Sequence, residues 1–276
     1  MTTIRFLLAT IVFIPDLIKN SFNFNAFLGG VELGIWCSIG FITQAMSLQF
    51  TSASKASFFS GLGVVFVPLL DYIFKRKKRD LPEISSHKKS PFHSALIAFL
   101  GVAILECGGI EPPHVKDLFL LLTPMAFATS FWRAEKVSRK YPQYTTLTVF
   151  GAMLTVSVTS IIWAIFDRSF PLSFVSLKLL FEKIIAHPLV AMGLLYIGLI
   201  CTGWASFSEQ SAMQHITAAE TTLIYTLEPL AATLFSSLIL HESIGLNTGT
   251  FVLWTIIIYF ISCIWYITNV SVYIIY

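Results

Sequence analysis

Apolar runs long enough to cross a membrane recur along this chain. Leu33–Ser54, Tyr141–Phe166, Ile184–Ser208 and Ser243–Tyr276 contain no Asp, Glu, Lys or Arg. A helix rises about 1.5 Å per residue, so about 20 apolar residues cross a hydrocarbon layer about 30 Å thick. Inside that layer every backbone amide needs an internal partner, and the closed helix supplies one within each run. The pattern predicts nine helices, near residues 3–19, 27–49, 53–74, 91–110, 117–138, 144–166, 188–209, 217–240 and 247–269. Pro68, Pro124 and Pro229 fall inside three of them. Each removes one helical hydrogen bond and frees the carbonyl four residues earlier.

Composition sharpens this into a class. Hydrophobic residues make up 55% of the 276 and charged residues 12%, with a mean hydropathy of +0.77. A soluble chain of this size presents more charge to water. The fold class is therefore all-α integral membrane, and spans with short loops leave no length for a second, soluble domain. The net charge of +3 is small and unevenly placed, which gives no ground for a nucleic-acid partner.

The uneven placement sets an orientation. Lys75-Arg76-Lys77-Lys78-Arg79 with Lys88 and Lys89 holds seven of the 18 basic residues, and Arg133, Lys136, Arg139 and Lys140 add four. Two helices separate these stretches, so loops 75–90 and 133–140 share one side, which the positive-inside rule makes cytoplasmic. Membrane lipid headgroups are a secondary partner for them. Counting spans outward puts the C-terminus inside and the N-terminus outside. Such a start, with no cleavable leader after Arg5 and the run to Pro15, leads to the expectation that a first helix is missing before Met1. Hydropathy leaves open whether the membrane is the plasma membrane or an organelle envelope, and leaves the oligomeric state open too. Between Phe166 and Pro188, Leu177, Leu180, Phe181, Ile184 and Ile185 lie opposite Lys178, Glu182 and Lys183, the pattern of a short helix lying on the membrane surface.

Catalytic and metal chemistry find little to stand on. Cys37, Cys107, Cys201 and Cys263 fall in four different predicted helices without paired spacing, so neither a disulfide framework nor a metal or redox site follows. His241-Glu242-Ser243 lacks the second His of a zinc-protease helix, and Phe58 stands where a nucleophile elbow needs Gly. No cofactor or metal is expected, and no enzyme activity. A non-transporting membrane scaffold and, less favoured, an intramembrane enzyme are two readings of such a chain.

Two stretches echo each other: Gln44-Ala45-Met46-Ser47-Leu48-Gln49-Phe50-Thr51-Ser52-Ala53 and Gln210-Ser211-Ala212-Met213-Gln214-His215-Ile216-Thr217-Ala218-Ala219. Each ends a span, turns and starts the next, the first turn outside and the second inside. Units of five helices invert on duplication, and inverted halves are the mark of many secondary carriers. The same residues carry a resemblance. Gly40-Phe41-Ile42-Thr43-Gln44-Ala45, the run from Phe58 to Leu70, Thr217-Ala218-Ala219-Glu220, Tyr225-Thr226-Leu227-Glu228-Pro229-Leu230 and Leu238-Ile239-Leu240-His241-Glu242 resemble the EamA-domain family of the drug/metabolite transporter superfamily. The resemblance implies ten helices in two five-helix repeats, here residues 1–110 without the first helix and residues 111–276. It also implies carriage of small organic solutes by alternating access.

Candidate transport residues follow from depth and charge. Lys55 opens a helix, where the macrodipole disfavours a cation; a substrate-anion or gating role stands beside snorkelling to the interface. Glu228 lies halfway along its span, too deep to reach water, and a charge there usually faces a cavity or a partner. Glu209 and Gln210 end a span, where an inner gate formed with Arg or Lys and plain interfacial solvation are equal readings. Gln44 is deep and bears an amide, and Tyr225 offers an aromatic face, though Tyr also belongs to the interface belt. Arg133 reads as structural, while Glu32 and Glu106 are ambiguous.

Overall fold

A computed structural model describes residues 2–19, 21–49, 59, 61–75, 117–166, 182 and 186–225. The predicted spans 91–110 and 247–269, the loop 76–90, most of the connector 167–187, the first echo beyond Gln49 and the span 217–240 beyond Tyr225 lie outside them. The described residues are helical throughout, joined by turns. The helices are α1 (Thr2–Lys19), α2 (Phe24–Ser47), α3 (Gly63–Lys75), α4 (Asp117–Lys140), α5 (Thr145–Phe166), α6 (Pro188–Ala212) and α7 (Ala218–Tyr225). A 3-10 turn at Pro142–Tyr144 leads into α5. Among the described residues three helical stretches, Phe24–Ser47, Pro142–Phe166 and Pro188–Ala212, are long and apolar enough to cross a membrane.

Local chemistry sets the ends. The predicted start of α2 moves back from residue 27 to Phe24 because Asn23 caps it. Its Oδ1 accepts from the backbone N–H groups of Asn25 and Ala26 at 3.1 and 3.2 Å, the usual role of Asn at an N-cap. At the other end of the loop, α4 stops at Lys140 just before Pro142, as a helix must when the next residues include proline. Pro15, Pro68 and Pro124 are all carried inside helices. One feature has no hydropathy signature: Tyr196–Trp204, in the middle of α6, is wound as a π-helix, and the Thr202 hydroxyl donates to the Ile197 carbonyl five residues earlier at 2.8 Å.

Close contacts divide the chain into two units. The first comprises Met1–Ile42 and Arg133–Thr217. Its core is Phe6, Ala9 and Phe13 of α1 packed on Val149, Met153 and Val156 of α5, with Phe41 and Phe207 against it. Lipid tails are as apolar as Leu, so close packing rather than escape from water holds helices together in a bilayer. The α2–α5 seam shows this. A Cβ at Gly30 would stand 2.1 Å from the Thr148 carbonyl oxygen, and one at Gly34 would stand 2.6 Å from Thr155 Cβ. Only glycine permits that approach. Further along, the Ser38 hydroxyl reaches the Gly34 carbonyl at 2.7 Å and lies 2.6 Å from the Thr159 hydroxyl. The Thr159 hydroxyl also reaches the Thr155 carbonyl at 2.9 Å, so either hydroxyl can be the donor between Ser38 and Thr159. Large side chains such as Ile11, Phe166, Leu189 and Trp204 point outward and stay exposed, which suits a lipid-facing surface and would be a liability in water.

The second unit comprises Thr43–Trp132 and Ala218–Tyr276. Val67 of α3, Ala128 of α4 and Ala218 and Ala219 of α7 form its described core, flanked by Phe66, Leu70 and Phe131. Two polar ties cross it. The Trp132 indole N–H donates to Asp71 Oδ1 at 2.8 Å, both residues buried, and the Thr43 and Thr123 hydroxyls meet at 3.0 Å.

Candidate functional site

The first unit encloses a partly open cavity of about 330 Å³. One wall is the opening face of α2, with Asn25, Leu28, Gly29 and Glu32 at helical spacing. The other is the closing face of α4, with Arg133, Lys136, Val137 and Lys140 at the same spacing, followed by Tyr141. Each wall repeats at three- and four-residue steps, so a single stripe of each helix faces the space. A Cβ at Gly29 would stand 2.8 Å from a Val137 methyl, so the two walls touch at that level and the polar residues gather around the contact.

Glu32 and Arg133 join the walls. Arg133 Nη2 donates to Glu32 Oε2 at 2.6 Å, and Nε stands 2.6 Å from Oε1 as an ion-pair contact off hydrogen-bond alignment. Both side chains keep about a third of their surface exposed, 34% and 38%, so solvent still screens the pair. Lys136 is half-buried and Lys140 exposed, and the Lys140 ammonium lies 5.1 Å from the centre of the Tyr141 ring. Cations near the end of α4 also face its negative pole, a favourable place for them.

A second group of polar contacts ties the same end of α4 to α5 and to the end of α6. The buried Ser138 hydroxyl donates to Gln210 Oε1. Gln214 Nε2 donates to the Thr145 hydroxyl at 2.7 Å and to the Pro142 carbonyl at 3.2 Å. Arg139 reaches the Ile216 carbonyl at 3.3 Å and pairs with Glu135, one turn earlier, at 3.2 Å. Glu-before-Arg at this spacing is the favourable order on a helix.

The sequence-predicted residues are scattered among these features. Gln210 is buried in the contact with Ser138, and Glu209, half-buried, precedes it in the last turn of α6. Tyr225 belongs to the second unit, where its ring lies 5.5 Å from that of Phe131 at 49°. Gln44 is half-buried in α2. Lys55 and Glu228 lie outside the described residues. In the sequence Glu32 reads as ambiguous and Arg133 as structural, and the structure brings them together with Lys136 and Lys140. Their trace in sequence is a lone charge, Glu32, in the apolar α2 and an Arg that opens the basic stretch 133–140, 101 residues apart. Among the described residues no cluster of His, Cys, Asp or Glu is suited to a metal.

Known proteins resemble this chain over nearly its full length. The sequence model of the EamA-like transporter family matches residues 1–106 and again residues 114–267. An uncharacterized transporter of Archaeoglobus fulgidus is 22% identical over 240 residues, covering 87% of this chain and 68% of the relative. A solved structure described only as the crystal structure of a protein aligns with a TM-score of 0.67 at 12% identity. It covers 94% of this chain and 84% of its own. At that identity the likeness bears on the fold.

Proposed function

Because this chain belongs to the EamA-like transporter family and is an integral membrane protein, we propose that it carries a small organic solute across its membrane by alternating access. The observation that supports this most is the successive matching of one family model to residues 1–106 and 114–267. Two homologous halves are the raw material of an inverted repeat, in which the solute site lies near the midplane and the halves rock around it. In this reading residues 1–110 and 111–276 are the repeats, nine spans are present, and loops 75–90 and 133–140 with the C-terminus face the cytoplasm.

Gln44, Lys55, Tyr225 and Glu228 are then the candidates for solute contact, and Glu209 and Gln210 for the inner gate. The burial of Gln210 against Ser138 is what an inner closure requires, since a buried amide releases its partner only when the helices part. Uptake by proteoliposomes tests the reading. Isotope-labelled amino acids, nucleotides and organic anions are offered in turn, and at least one should enter saturably and be recovered unmodified. Entry no faster than into protein-free vesicles across the whole panel would refute it. Glu228→Gln should then shift the pH dependence of uptake or the preferred solute charge. An unchanged profile with unchanged preference removes Glu228 from the mechanism.

A further inference from the structure

We propose that the cavity between α2 and α4 binds a phosphate monoester group. Three cations, Arg133, Lys136 and Lys140, and one carboxylate, Glu32, line it, which leaves an excess of two positive charges. A phosphate monoester carries close to two negative charges at neutral pH. Glu32 holds Arg133 at its inner wall through paired contacts of 2.6 Å, so a guanidinium is already oriented there. Donor-bearing side chains line the space: Arg133, through the part of its guanidinium not turned to Glu32, Lys136, Lys140, Asn25 and Tyr141. The opening turn of α2, with Asn25, adds the positive end of a helix dipole on the same side. The volume of about 330 Å³ is at the small end of ligand cavities, which fits a compact headgroup better than a large solute. Topology alone explains basic residues at this end of α4. It does not explain their convergence with Asn25 and a carboxylate-anchored arginine on one cavity.

The group could arrive on a soluble phosphate compound or as the headgroup of phosphatidic acid, and one experiment separates the two. The purified full chain is placed in phosphatidylcholine nanodiscs and titrated with inorganic phosphate by calorimetry, then again in nanodiscs that also contain phosphatidic acid. Saturable binding in phosphatidylcholine is expected. Each lysine contributes about five-fold, so Lys136→Gln with Lys140→Gln should weaken binding about 25-fold, and added salt should weaken it further. If phosphatidic acid in the disc abolishes the phosphate isotherm, the lipid is the occupant; if the isotherm is unchanged, the soluble form is. Should the double variant lose its gel-filtration peak, Lys140→Gln alone, at an exposed position, should still weaken binding about five-fold. Absence of saturable phosphate binding to pure phosphatidylcholine discs overturns the proposal, as does binding that ignores both lysine variants. Because the readout is equilibrium binding, it can fail while solute uptake persists, and it can succeed in a chain that transports nothing.

Discussion

The α2–α5 seam and the polar end of α4 hold the first unit together by opposite means. Along the seam the contacts are steric: Gly30 and Gly34 let one backbone lie against another with no atom to spare. At the end of α4 the contacts are polar and distributed over Glu32, Arg133, Ser138, Arg139, Gln210 and Gln214. The difference follows from the surroundings. In hydrocarbon, association rests on packing and on a few hydrogen bonds, so the seam has no solvent to fill a mistake. The exposed contacts there, such as Glu32–Arg133, are partly replaceable by hydration. The first region should be brittle to added volume, and the second should lose a little with each group removed.

The largest effect should come from Gly30→Ala. The new Cβ meets a backbone oxygen at 2.1 Å, and a backbone cannot step aside as a flexible side chain can. Overpacking of this kind costs about 3 kcal/mol, which should appear as a clear drop in the thermal midpoint of the purified protein in detergent. Gly193→Ala supplies the contrast within α6, since a Cβ there meets nothing within 4 Å. It should raise stability by about 0.5–1 kcal/mol, the usual gain on replacing a helical glycine. Equal outcomes for the two variants would erase the distinction drawn between seam and surface.

How far the sequence reveals these regions depends on the range of the interaction. Helices are legible because hydropathy is summed over about 20 residues, and α1, α2, α4, α5 and α6 begin or end within a few residues of expectation. Their limits are less so, because Asn23 and Pro142 act through single local bonds that a window average erases. The π segment at Tyr196–Trp204 is invisible to hydropathy, since a shift from four- to five-residue bonding leaves composition unchanged. The cavity is hidden for another reason. It needs Glu32 and Arg133 on facing stripes, which depends on how α2 and α4 cross. Gln210 is one of two inner-gate candidates in the sequence, with Arg or Lys as the expected partner; the structure buries it against Ser138, which carries no charge and no motif to draw the eye.

Ser138→Ala probes the polar end with a smaller expected effect. Both Ser138 and Gln210 are buried, so removing the hydroxyl leaves Gln210 Oε1 short of a donor. A buried polar group stripped of its partner costs about 1–3 kcal/mol. Replacing Gln210 by Leu as well should recover part of that loss, because the orphaned oxygen goes with it. If the double variant is as unstable as the sum of the singles, the bond does not couple the two helices.

The Glu32–Arg133 pair should give the least in stability. Its short contacts invite a larger estimate, because breaking a buried pair costs about 3–5 kcal/mol. However, each partner keeps about a third of its side chain exposed, and exposed pairs measured by double-mutant cycles contribute about 0.2–1 kcal/mol. Exposure decides the matter in favour of the smaller value. A cycle through Glu32→Gln, Arg133→Met and the combined variant should therefore give a coupling of about 1 kcal/mol or less in thermal or denaturant unfolding. A coupling near the buried-pair value would mean that water does not reach the cavity, and the polar end would then be as intolerant as the glycine seam.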